Sequence, residues 1–120
     1  MIFDTNVPIY LSKHILDPDK VLKNKVSISV ITKIEVLGFN FKNIDEHQLI
    51  VAICNDLKVI GLSDIIAEET IDIRKNFRIK LPDAIIYATA LVENQPLLTN
   101  NISDFKFIKR NVELINPFDL

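Results

Sequence analysis

The 120-residue sequence predicts an α/β domain of three layers, a mostly parallel sheet with helices on both faces. Three observations lead there. Short apolar or β-branched runs recur along the chain, and most are followed by a segment with helical spacing of its apolar residues. Strands that alternate with helices need crossover connections, which set the strands parallel and lay the helices over the sheet. The run "AIIYATALV", residues 84–92, is apolar on every side, as a helix buried against a sheet would be.

The elements follow in order. "MIFD" reads as a short buried strand and "TNVPIYLS" as a helix with Pro8 in its first turn, where a missing N–H costs nothing. Residues 17–25, "DPDKVLKNK", are polar enough for a loop holding one helical turn. "VSISV" (26–30) alternates β-branched residues with serine and predicts a strand; "ITKIEVLGF" predicts the helix that leaves it. Residues 45–57 carry apolar side chains at 49, 50, 53, 54 and 57, a helical spacing. "KVIGL" then reads as a strand and "SDIIAEETIDIRKNF" as a helix. The apolar helix opens at Pro82, and "PLLTN" and "VELIN" supply two further strands.

Composition sets the bounds. With 48% hydrophobic residues, the chain can fill one core as a single domain over 1–120 and leave apolar surface for a partner. No run approaches the ~18 uncharged apolar residues of a membrane span, and the N-terminus lacks the regions of a signal peptide. Cys54 is the only cysteine, which excludes a disulfide framework and a thiolate zinc site. A reducing cytoplasm is the expected home. A net charge of −2 excludes a generally basic nucleic-acid binder while allowing a local basic patch.

Ligands of open α/β sheets bind beyond the carboxyl ends of the strands. Asp4 ends the first strand, Glu35 lies five residues past "VSISV", and Asp104 follows "LLTN" in "NNISDF". Asp83 sits at the mouth of the apolar helix. Each has a plain alternative. Asp4 suits a helix N-cap, Thr32 and Glu35 have capping-box spacing, and Asp104 fits a turn. Asp83 suits the positive end of a helix dipole. Four carboxylates at one edge nevertheless repel and raise one another's pKa values, which calls for a cation. With no supporting His or Cys, hard oxygen donors favour Mg²⁺ or Mn²⁺. Metal-dependent cleavage of a phosphodiester is the leading chemistry. His14, in a loop, and His47, near a helix start, are expected to be solvated.

The motifs in order resemble those of PIN-domain ribonucleases, most closely VapC-type toxins of toxin–antitoxin pairs. "IFDTNVPIYL" is similar to the family's opening motif, "SVITKIEVLGF" to its second, "LPDAIIYATA" to its third and "LLTNNISDF" to its fourth. The resemblance implies a parallel sheet with an acidic site of Asp4, Glu35, Asp83 and Asp104 holding Mg²⁺ or Mn²⁺ at its carboxyl edge. It implies endoribonuclease activity on RNA. Asn6, Thr99 and Asn101 match family positions and are expected to orient carboxylates or contact substrate. A small antitoxin protein and a homodimer are the expected partners. Lys75, Arg78 and Lys80 precede Asp83, and Lys109 and Arg110 follow Asp104, so these five are expected to contact RNA phosphates. Tyr10 and Phe105 could stack on a base or pack in the core. The alternative reading is a PIN-like protein- or RNA-binding module with little catalysis.

Overall fold

A computed structural model describes residues 1–120. Five strands form one sheet in the order β3-β2-β1-β4-β5, and every pairing is parallel. The strands are short: β1 is Ile2–Phe3, β2 Ser27–Ser29, β3 Lys58–Ile60, β4 Leu97–Leu98 and β5 Leu114–Ile115. Six helices accompany them: α1 (Asn6–Ser12), α2 (Pro18–Val21), α3 (Val30–Leu37), α4 (Ile44–Asp56), α5 (Asp64–Asn76) and α6 (Leu81–Glu93). The three-layer α/β expectation is met, and the sheet is wholly rather than mostly parallel.

The pleat divides the core in two. Ile2 pairs with Leu97, and both face a cluster built from α5 and α6 around Ile66, Ile73, Ile86 and Tyr87. One residue along, Phe3 pairs with Leu98, and both face the opposite cluster of Val7, Leu11, Val36, Ile50 and Cys54. Two consecutive apolar residues in each central strand therefore serve both faces, as strands covered on both sides require. Cys54 is a small buried hydrophobe within the second cluster.

Helix α6 is buried where the sequence says it must be. Ala84 through Ala90 are all buried, packed against α5, α3 and the two strands β1 and β2. Three alanines, at 84, 88 and 90, let the backbone approach its neighbours, while Ile86 and Tyr87 fill the space beside them. Asn94 ends the helix in the left-handed conformation (φ 54°), which asparagine tolerates better than most residues.

Boundaries shift by a residue or two. Val30 begins α3 instead of ending β2, because Ser29, the last residue of β2 and paired with Ile60, also caps the helix by accepting from the Ile31 N–H at 3.1 Å. That cap removes the capping-box alternative for Glu35: Thr32 is buried in the first turn, and Glu35 lies beyond it. Leu81 takes the first position of α6 and Pro82 the second. One turn, α2, is all the helix that residues 17–25 form.

Candidate active site

The order of the sheet decides where the site is. From β1 the chain builds outward through β2 to β3, then returns to lay β4 on the other side of β1 and β5 beyond it. The direction of winding therefore reverses between β1 and β4, and the crevice past their carboxyl ends is where such sheets bind ligands. Asp4 leaves β1 at that point and Thr99 leaves β4. The Thr99 hydroxyl donates to Asp4 Oδ2 at 2.7 Å, closing the seam with a buried hydrogen bond.

A chain of hydrogen bonds spreads from this contact. The Thr5 N–H donates to Asp4 Oδ1 at 2.8 Å, so each oxygen of the carboxylate has a donor. The Thr5 hydroxyl donates to Glu35 Oε1 at 2.7 Å, tying α3 to the end of β1. On the far side, the Asn101 N–H donates to Thr99 Oγ1 at 3.0 Å. Thr5 thus links two acids that are 31 positions apart, a role that the small hydroxyl in "DTN" did not announce.

Asp83 and Asp104 complete the group differently. Asp83 is the third residue of α6, and Asp104 ends the short 3₁₀ turn Ile102–Asp104. Asp4, Glu35, Asp83 and Asp104 all line one pocket of about 280 Å³, with no hydrophobic residue in its wall. Asn6, Asn101, Thr5 and Lys80 line it too. The structure thus brings together the four acids and both asparagines; Thr99 stands behind Asp4, buried. The chain's three ion pairs, Lys13–Glu46, Arg110–Glu69 and Arg110–Asp72, leave all four acids without a cation partner.

Burial and mutual repulsion act on Asp83 and Asp4. The carboxyl of Asp83 is pushed up to about 6, first by burial and then by the charges of Asp4, Asp104 and Glu35, with Lys80 pulling the other way. The carboxyl of Asp4 is also raised, chiefly by burial, against the lowering effect of its Thr99 and Thr5 hydrogen bonds. As the side chains stand, no three acids converge closely enough to coordinate one ion. The donor set still fits Mg²⁺ or Mn²⁺: all its ligating atoms are hard oxygens, none is in an ion pair, and Lys80 is the one cation in the pocket wall. Such an ion needs only one or two direct carboxylates and keeps several waters.

The basic residues divide. A second concavity of about 450 Å³ shares Lys80, Asp83 and Asp104 with the acidic pocket and adds Arg78 and Phe107. A third, of about 430 Å³, shares Arg78 and continues to Arg74 and Lys75. A groove therefore leads from the acids past Lys80, Arg78, Lys75 and Arg74. Lys109 and Arg110 lie outside it. The guanidinium of Arg110 is engaged by Glu69 and Asp72 of α5 and would have to leave them to meet a phosphate. Phe105 is buried and stacked on Tyr87, with ring centroids 6.1 Å apart, and Tyr10 leans on Phe118. His14 and His47 are exposed, as expected.

Solved structures share this architecture across nearly the whole chain. A toxin–antitoxin complex from Klebsiella pneumoniae contains a chain 30% identical to this one, with a TM-score of 0.75 and coverage of 97% of this chain and 96% of that one. VapBC2 from Rickettsia felis, bound to a DNA fragment from its promoter, has a chain 26% identical, with a TM-score of 0.80 and coverage of 97% and 98%. The DNA-bound VapBC of Salmonella typhimurium shares the fold at 21% identity and a TM-score of 0.80. No curated protein sequence matches closely enough to add to these. The family model for the PIN domain matches residues 1–110, from the Asp4 strand through the Asp104 loop, and the chain belongs to the PIN-domain family.

Proposed function

We propose that the protein is a Mg²⁺- or Mn²⁺-dependent endoribonuclease and the toxin of a toxin–antitoxin pair, acting on RNA in the cytoplasm. One observation carries the reading: four carboxylates, none of them in an ion pair, stand at the sheet's switch point beside concavities edged with cations. Asp4, Glu35, Asp83 and Asp104 would hold the ion, one or two of them directly and the others through its waters. When bound, the ion supplies an activated water and offsets charge developing on the phosphodiester. Thr99 and Thr5 fix the Asp4 carboxylate, and Thr5 also fixes Glu35, so these oxygens need little reordering to meet a ligand. Asn6 and Asn101 offer side-chain amides to substrate from the pocket wall. Lys80, Arg78 and Lys75 draw the RNA backbone along the groove by its phosphates.

The toxin part rests on end-to-end likeness to chains of toxin–antitoxin complexes. An antitoxin also has apolar surface to cover: Ile34 of α3, Phe39 after it and Ile44 of α4 are exposed together with the edge of the Phe39–Phe41 pair. A homodimer is the proposed assembly of the toxin itself. Purified protein should cleave a single-stranded RNA with Mn²⁺ and stop with EDTA. Asp4→Asn should lose the activity by orders of magnitude while keeping its circular dichroism spectrum. Full activity in EDTA, or in Asp4→Asn, would refute the metal-nuclease reading and favour a binding module.

A further inference from the structure

We infer that the concavity beside the acidic pocket is a nucleobase subsite, in which Phe107 stacks on an unpaired base of the RNA next to the cleaved bond. The inference rests on the ribonuclease reading and adds to it where the base goes and which side chain receives it.

Phe105 and Phe107 lie two residues apart and have opposite fates. Phe105 turns inward onto Tyr87 and is buried. Phe107 remains 37% exposed and lines the concavity together with Ile79, amid Arg78, Lys80, Asp83 and Asp104. Its ring is not loose. Phe77 packs against it at a tilt of 60° with centroids 5.9 Å apart, a contact that favours one orientation of the ring while Phe107 still lines the cavity. An aromatic surface beside Arg78 and Lys80, next to the acids of the proposed cleavage site, has the chemistry of a single-strand site: the cations take phosphates and the ring takes a base. A volume of about 450 Å³ is ample for a base, within the ~300–1,000 Å³ range of small-molecule pockets.

The shared wall sets the register. Lys80, Asp83 and Asp104 belong to both concavities, so a phosphate among the acids leaves the neighbouring nucleotide's base beside Phe107. A base stacked and paired within a duplex cannot turn into that space without being unstacked first. The site therefore takes single strands or loops. A phenyl ring has no hydrogen-bonding edge, so the contact accepts any base and selects against the absence of one.

The test uses the wild-type protein with Mn²⁺ and a short single-stranded RNA whose cleaved phosphate has been mapped. Abasic nucleotides are then placed singly at each position around that phosphate. One flanking position should lower kcat/KM by about 5- to 150-fold, the range found for loss of one base–aromatic stack. On intact RNA, Phe107→Leu should show a loss of similar size. On the RNA abasic at the sensitive position it should lose nothing more, and Phe107→Trp should restore the intact rate. Melting curves confirm that the variants are folded, and the abasic series needs no variant at all. The inference fails if wild type is indifferent to every flanking abasic site. It also fails if Phe107→Leu cuts intact RNA as fast as wild type, or still shows the full abasic penalty. In each of these cases wild-type cleavage persists and the ribonuclease reading stands. If wild type cuts no intact RNA with Mn²⁺, both fall together.

Discussion

Replacing Asp83 with Asn should stabilise the metal-free protein, and by an amount that depends on pH. The Asp83 carboxyl is pushed up to about 6 in the fold, against an ordinary value of 3.8. The folded chain therefore holds this proton more tightly than the unfolded chain does. That contribution to stability is fully present below about pH 3.8 and is lost as pH rises through about 6. Two pH units correspond to ~3 kcal/mol at 1.36 kcal/mol each. Asp83 is only half-buried, on a pocket wall open to solvent, and screening reduces this to ~1–2 kcal/mol. Asn has the shape of the protonated acid and no charge to lose. At pH 8 in EDTA, Asp83→Asn should therefore melt about 4–10 °C above wild type, given the size of the domain. The gap should close towards pH 4. Differential scanning calorimetry across pH 4–8 reads both the size and the slope. If Asp83 served only the dipole of α6, its loss would cost ~0.3–1 kcal/mol and the mutant would melt lower. A mutant that melts at or below wild type at pH 8, or a gap that does not shrink with acid, refutes the electrostatic reasoning.

Other expectations follow from the same geometry. Thr99→Val removes one of the two donors to the buried Asp4 carboxylate, so Mn²⁺-dependent cleavage should fall and stability in EDTA should drop by ~1–3 kcal/mol, read by urea titration. Thr5→Val should release Glu35 and lower cleavage while barely moving the melting point, since the Glu35 end of the bond is exposed; unchanged kinetics would show that Glu35 needs no guide. Arg78→Gln should flatten the dependence of log affinity on log salt by ~0.7 for single-stranded RNA, whereas Lys109→Gln should leave it alone. Equal effects from both, in fluorescence anisotropy titrations, would mean that the groove does not carry the strand. Arg110→Met should leave RNA affinity unchanged and cost at most ~1 kcal/mol, because its ion pairs with Glu69 and Asp72 are partly exposed.

The acids were legible because their positions follow from periodicity. Once strands and helices are placed, Asp4 and Asp104 fall just past strand ends, Glu35 falls on a helix leaving one, and Asp83 stands at the mouth of a helix too apolar to be exposed. The supporting contacts were hidden for a different reason. Thr5 reaches Glu35, 30 positions along the chain, and Arg110 reaches α5 about forty positions back. Nothing local distinguishes these side chains from ordinary surface groups. Phe107 was hidden by its neighbour: two phenylalanines at spacing two offer the same apolar content, and only the turn after Asp104 decides which one goes inside. Helix ends shifted where capping chemistry outranked β propensity, as Ser29 did for Val30.

The seam between β1 and β4 has a consequence for how the protein is made. Asp4 is synthesised well before the hydroxyl that fixes its carboxylate, which belongs to Thr99, 95 positions later. Between them, β2 and β3 can assemble on one side of β1 while its other side stays open until Leu97 and Leu98 arrive. At roughly 5–20 residues per second, that interval lasts several seconds on the ribosome. Throughout it the nascent chain lacks β4, Thr99 and Asp104, and with them a wall of the acidic pocket. The proposed nuclease, surrounded by the RNA of its own translation machinery, would thus be unarmed until β4 and the Asp104 turn are out. The winding order of the sheet imposes that delay, and no inhibitor is needed for it.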